Sequence, residues 1–422
     1  LIARTLSFPR KQVHRTTRHW SLYALWIAVF IAVPIWASLD TPAWDVAVYW
    51  KAVLALRVGH DPYSSAMAVQ TATHLNGGVA AGVDPPYSYV YSPITLPLLH
   101  VIVLLPGLFS GTMYWALYIV AVLTQVWVGM QAVEGDERRG FLYLAPVAAF
   151  FPGLLANGIV LGGNVAYFLY AAVFLTAVMA WRGCSWRWFY LAVLIASCVK
   201  APLLCLVVLP VFTARKQWLP TIGTAAAGTV LFGMQQILWP DLFQHYLQAV
   251  ALQFTYNRDF GCSPAGLLSG ILYDHGIAYT APTTAFYLLY ACAILAMLFY
   301  LSRLYLRGLY SLQQWVPVLL VGVVLLNPRL IEYDVAPLAL PLALIGWRFL
   351  RTYVNRGRAG WIVASVFVAF NALALTSWSL RKSMDCAVLV LFFVIGSYTL
   401  LRIAHDQESA QRNELAALQA VA

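Results

Sequence analysis

Apolar residues run through this chain in about twelve long stretches parted by short polar breaks, each near the roughly 20 residues a helix needs to cross a bilayer. The stretches are 20–39, 93–109, 112–133, 140–158, 163–181, 188–212, 219–239, 279–302, 313–331, 335–352, 359–379 and 384–403. They predict an all-α polytopic membrane protein with one integral domain over 20–403. A basic segment, 1–19, precedes it, and a short polar tail, 404–422, expected to fray, follows on the cytoplasmic side. Pro97, Pro106 and Pro152 interrupt the second and fourth stretches, which membrane helices tolerate where neighbours satisfy the freed carbonyls. Two polar intervals are long, about 40–92 and 240–278. The first holds an amphipathic stretch, 44–60, expected to lie flat on the membrane. The second holds a helical stretch, 242–254, followed by Asn257, Arg258 and Asp259. Such loops suit an enzyme with a surface cleft better than a channel, and no internal repeat of the kind carriers show is visible.

Composition agrees. Of 422 residues, 62% are hydrophobic and 10% charged, against about 25% charged in soluble domains. The net charge of +10 would suggest nucleic acid in a soluble chain, but here Lys and Arg gather in short loops and at the N-terminus. That pattern is a topology signal and an attraction to anionic lipid. Arg4, Arg10, Lys11, Arg15 and Arg18 precede a stretch too long for a signal-peptide core and read as a cytoplasmic anchor. With this segment inside, 213–218, 303–314 and 348–358 are also inner. Two short loops, 134–139 and 182–187, are then expected on the outer side, although each carries two arginines. The six cysteines show no C-x-x-C and no His-paired zinc spacing, and read as unpaired thiols. Cys198 and Cys205 are expected to share a face of one span; Cys184 and Cys262 are the pair that could meet outside.

Asp45 is the carboxylate that packing alone explains least. It lies just beyond the first apolar stretch, and Tyr49, four residues on, shares its helix face. Gly59 can end that helix, and Asp61-Pro62 turns the chain away. Two readings stand side by side: a helix N-cap, or a general base raised in pKa by partial desolvation.

The pattern Asp45, Tyr49, Gly59, Pro62, Tyr63 resembles glycosyltransferase family 87, integral-membrane enzymes of the GT-C type that include polyprenyl-phosphate-mannose-dependent mannosyltransferases. Three further elements carry the resemblance: Tyr91-Ser92-Pro93-Ile94, the diverged Leu161-Gly162-Gly163-Asn164, and Lys200-Ala201-Pro202. It covers roughly 20–345 and implies a GT-C architecture with inverting transfer from a lipid-phosphate sugar, Asp45 acting as base. On this reading Lys200, mid-span, is a counter-charge for the donor phosphate; a structural ion pair is the alternative. Arg329, in the polar turn Asn327-Pro328-Arg329-Leu330-Ile331-Glu332-Tyr333-Asp334, offers a forked donor to phosphate oxygens. Tyr49, Glu332, Asp334, Asn164, His60 and Arg258 are the expected sugar or acceptor contacts, His60 for its place beside the Asp45 helix. Tyr87, Tyr89 and Tyr91 suit an interfacial aromatic belt.

Glu332 and Asp334 also have the spacing of a hard-cation site, but lipid-phosphate donors, unlike nucleotide sugars, need no metal to bridge a diphosphate. No metal or other cofactor is expected, and no phosphate-cradling or hydrolase motif occurs. The expected activity is transfer of a hexose, mannose first, from a polyprenyl-phosphate donor to a lipid or glycan hydroxyl at the outer face of the bacterial cytoplasmic membrane. The rival is a secondary transporter or lipid flippase that uses Lys200 and the outer carboxylates as a coupling pathway.

Overall fold

A computed structural model describes residue 28 and residues 44–64, 89–104, 111–135, 137, 163–214, 216–256, 260–374 and 378–421. The described residues form helices and no strands: α1 Trp44–Arg57, α2 Thr95–Leu104, α3 Gly111–Gln131, α4 Ala166–Trp181, α5 Arg187–Val199, a 3₁₀ helix Ala201–Phe212, α6 Trp218–Leu238 and α7 Pro240–Tyr256. There follow α8 Pro264–Asp274, α9 Thr280–Leu306, α10 Leu312–Leu325, the single turn α11 Glu332–Val335, α12 Ala339–Leu350, α13 Arg356–Ala374 and α14 Trp378–Val421. The stretches 20–39 and 140–158 lie outside the described residues, apart from residue 28.

Three of these helical stretches, Thr280–Leu306, Glu332–Leu350 and Lys382–Gln419, are long and apolar enough to cross a membrane. The first buries little of its surface: Leu288 and Leu289 on α9 face outward, as do Ile237 on α6 and Trp361 on α13. A soluble protein rarely leaves so much apolar surface open to water, so these faces point to association with a membrane. Inside, α4, α5, the 3₁₀ helix, α10, α12 and α14 enclose one core, with Trp315 and Trp347 fully buried in it. A second, smaller core of Val48, Tyr49, Tyr63, Tyr89, Leu96 and Ala249 joins α1, α2 and α7 into a cap at one end.

Contacts between distant residues define the two ends of the bundle. Ser92 Oγ donates to the Cys198 carbonyl, the Ile94 amide donates to Gln235 Oε1, and Asn164 reaches Asp45. These bonds place the ends of α5 and α6 beside the turn before α2, and the start of α4 beside α1. At the opposite end Trp181 Nε1 donates to Thr213, Trp315 Nε1 to the Phe212 carbonyl, and Arg348 meets Glu137.

Several expectations are corrected by this geometry. The stretch 188–212 is not one span. Helix α5 climbs to Lys200, whose backbone is extended at φ −136° and ψ 92°, and the 3₁₀ helix packs back along α5 to the starting end. Lys200 is therefore the apex of a hairpin, and Cys198 and Cys205 lie on separate limbs instead of one face. Loop 182–187 consequently sits beside Thr213, and Glu137 binds Arg348, so the described residues of both loops share an end with the loops 303–314 and 348–358. The described part of the second stretch, 93–104, is too short to cross, and 105–109 lie outside the described residues. Helix α2 has ten residues, about 15 Å. Helix α3 starts afresh near the Asp45 end and reaches Arg348 through the Ala132 carbonyl beyond its last turn. The tail is not frayed, because α14 continues as helix to Val421. Cys184 and Cys262 are both free and stand at opposite ends.

Candidate functional site

The site begins with how α1 is held. Gly59, at φ +76°, supplies the left-handed residue that ends α1. Tyr63 then folds back, its hydroxyl donating to the Tyr91 carbonyl at 2.7 Å. Tyr49, Tyr91, Tyr89, Tyr63 and Tyr246 pack ring against ring, with neighbouring centroids 5.2 to 6.1 Å apart. Tyr89 and Tyr91 are thus interior struts and not an interfacial belt; Tyr87 lies outside the described residues.

This aromatic wall presents the first turn of α1 to the start of α4. Asn164 Nδ2 donates to Asp45 Oδ2 at 2.9 Å and to the Tyr91 hydroxyl at 3.2 Å. The other end of the Asn164 amide, Oδ1, accepts from the Ala166 N–H at 2.9 Å, which fixes its orientation at the head of α4. The Tyr49 and Tyr91 hydroxyls share a bond of 2.9 Å, and the Val165 N–H reaches Tyr49 Oη at 3.4 Å. Asp45 is half-buried, and its bond runs across the molecule to Asn164. Burial raises its carboxyl from 3.8 to about 6; the Asn164 bond and the Lys200 charge oppose the rise, and the Glu332 charge adds to it. A carboxylate tuned this way is charged at neutral pH and basic enough to take a proton. Burial and the Asp45 charge push the Tyr91 hydroxyl well above its usual range, so it stays neutral.

Lys200 and the turn after α10 complete this end. Lys200 Nζ meets Asp334 Oδ1 at 2.7 Å and lies 5.9 Å from the centre of the Tyr333 ring. Asp334 is fully buried, and its Oδ2 accepts from the Ile331 N–H at 2.9 Å. With both oxygens engaged, Asp334 is an anchor for Lys200 and not the sugar contact expected of it. Glu332 is buried close enough to act on Asp45. Arg329 is partly exposed, and its charge reaches Tyr246. The turn that bears Arg329 is pinned from α8, where Ser263 Oγ donates to the Pro328 carbonyl and the Cys262 N–H to the Leu330 carbonyl. Gly261, at φ +82°, allows this approach, since a Cβ there would lie 2.3 Å from the Leu330 oxygen.

Of the expected site residues, Asp45, Tyr49, Asn164, Lys200, Glu332 and Asp334 are therefore brought together, with Arg329 on the same end. Tyr49 and Asn164 support Asp45 and are not open contacts. His60 lies beside the Asp45 helix, as expected, but beyond its far end, and that 14-residue helix is about 21 Å long. Arg258 lies outside the described residues. The sequence marked His245 only as one of several outer histidines able to touch phosphate; its Nδ1 is 2.7 Å from Asp61 Oδ2 and ties α7 to the turn after α1. The acid next to Pro62 was visible, but nothing in the sequence joins it to a histidine so far along the chain.

No family model matches the chain, and comparison with curated proteins gives no match.

Proposed function

We propose that the chain is a membrane glycosyltransferase of GT-C type that transfers a hexose, mannose first, from a polyprenyl-phosphate donor to an acceptor hydroxyl. The observation that carries the reading is Asp45: a half-buried carboxylate with its pKa raised to about 6, held by Asn164, at the end where Lys200 and Arg329 also gather. In the proposed step Asp45 takes the proton of the acceptor hydroxyl, whose oxygen attacks the anomeric carbon from the face opposite the phosphate. The bond from that carbon to the phosphate oxygen breaks, its electron pair leaves with the polyprenyl phosphate, and the sugar inverts. Arg329 and the Lys200 ammonium, whose side chain is 12% exposed, stabilise the departing anion electrostatically.

The arrangement of ends supports the orientation. Among the described residues, the loops that hold Arg182 and Arg187, Arg303 and Arg307, and Arg348 and Arg351 stand opposite Asp45, against Lys382 in the first turns of α14 at the Asp45 end, and this balance supports an outer Asp45.

The Lys200–Asp334 pair is also what a carrier could use to couple an ion, so the deciding assay contains no sealed compartment. Purified protein in detergent is given radiolabelled polyprenyl-phosphate mannose and a membrane-lipid extract as acceptor. Label moving from donor to acceptor supports the transferase; flux in sealed vesicles with no transfer in detergent supports the carrier.

A further inference from the structure

At the basic end, opposite Asp45, α10, α12 and α14 leave a cavity of about 280 Å³. Its charged lining is Arg348, Arg351 and Arg402 against Glu137 and Asp406, an excess of one positive charge. The groups are not equivalent. Arg348 is committed to structure: Nε and Nη2 grip Glu137 at 2.9 and 2.6 Å, while Nη1 and Nη2 donate to the carbonyls of Gln313 and Ala132, both at 2.8 Å. Glu137, 1% exposed, is thereby neutralised and also receives Arg351 Nη1 at 2.9 Å. Arg351, stacked 5.3 Å from the Trp347 ring centre, uses one N–H on Glu137 and has further donors. Arg402 stands 5.7 Å from the Tyr353 ring centre. Asp406 is largely exposed and lies 3.7 Å from His405. Two guanidinium groups thus overlook a hollow whose floor, Val318, Ile345 and Leu400, is apolar.

The level of the hollow matters as much as its charge. Arg351 directly follows Glu332–Leu350, and Arg402 closes the apolar part of Lys382–Gln419, two of the three stretches able to cross a membrane. The cavity therefore opens where lipid headgroups meet the ends of those helices. A free anion would have no use for the apolar floor, whereas a lipid would place its phosphate at the arginines and its chain along the floor. We propose that this cavity binds the phosphate-bearing headgroup of an anionic membrane lipid, on the face opposite Asp45.

The test uses the full chain in detergent, titrated separately with phosphatidylglycerol, phosphatidylcholine and inorganic phosphate, and read by native mass spectrometry and thermal midpoint. Phosphatidylglycerol should bind and raise the midpoint, and the other two should not. Arg402→Gln should weaken phosphatidylglycerol about fivefold, as expected for one interfacial cation, and Arg402→Lys should restore most of the affinity. Arg307→Gln, at the same end but outside the cavity, should change nothing. Equal binding of phosphatidylcholine, an equal shift with inorganic phosphate, full affinity in Arg402→Gln, or an equal loss in Arg307→Gln would each overturn the proposal.

Discussion

Asn164 Nδ2 donates to Asp45 Oδ2 at 2.9 Å, although 119 positions separate the two residues in the chain. The bond stabilises the charged form of an acid whose burial favours the neutral one. Asn164→Ala removes that support, so the acid limb of the rate profile should move to higher pH while the protein remains folded. Initial rates of sugar transfer between pH 5 and 8 check this; an unmoved limb would show that Asn164 does not tune the base.

Asp45→Asn should abolish transfer and stabilise the fold. The sign follows from the raised pKa: between 3.8 and about 6 the folded state binds more protons than the unfolded chain, so the carboxyl costs stability as pH rises through that range. At pH 7.5 the cost is on the order of 1 kcal/mol after allowance for partial exposure. The thermal midpoint of Asp45→Asn should therefore exceed that of the wild type at pH 7.5, and the gap should close towards pH 4.

The Lys200–Asp334 pair separates folding from chemistry. Lys200→Ala leaves a buried carboxylate without its cation and should cost about 3–5 kcal/mol. Replacing both partners, Lys200→Met with Asp334→Leu, should recover most of the stability. If Lys200 also serves the donor phosphate, the double variant stays inactive despite its stability. A double variant that is stable and fully active would make the pair purely structural.

Much of this was legible in the sequence. Among the described residues the apolar stretches marked most of the helices, and the pattern from Asp45 to Gly59 marked α1 and its end, because both rest on local spacing. Lys200 was misplaced because hydropathy is continuous through 188–212 and does not register a reversal of direction. The available signal was Pro202 and Pro210, which suit the start and course of a new 3₁₀ limb better than one unbroken α-helix. Missing that reversal, and counting 93–109 as a crossing, set the loops 134–139 and 182–187 opposite the other basic loops, whereas their described residues lie beside those loops, as their arginines had suggested. Asp334 was misjudged because only the fold shows that Lys200 occupies it.

The corrected arrangement of ends is itself open to test. Cys184 is exposed and free, in the loop beside Thr213. In a variant that keeps Cys184 as its only cysteine, a membrane-impermeant thiol reagent should label it in inside-out vesicles and not in intact cells. A cysteine introduced by His60→Cys, at the opposite end, should show the reverse.

The most direct measurement is hexose transfer from radiolabelled polyprenyl-phosphate mannose by the purified protein in detergent, wild type beside Asp45→Asn, across pH 5 to 8. The wild type should transfer label, with its rate falling about tenfold per pH unit below about 6, and Asp45→Asn should transfer none at any pH. Undiminished transfer by Asp45→Asn would contradict the assignment of Asp45 as the base.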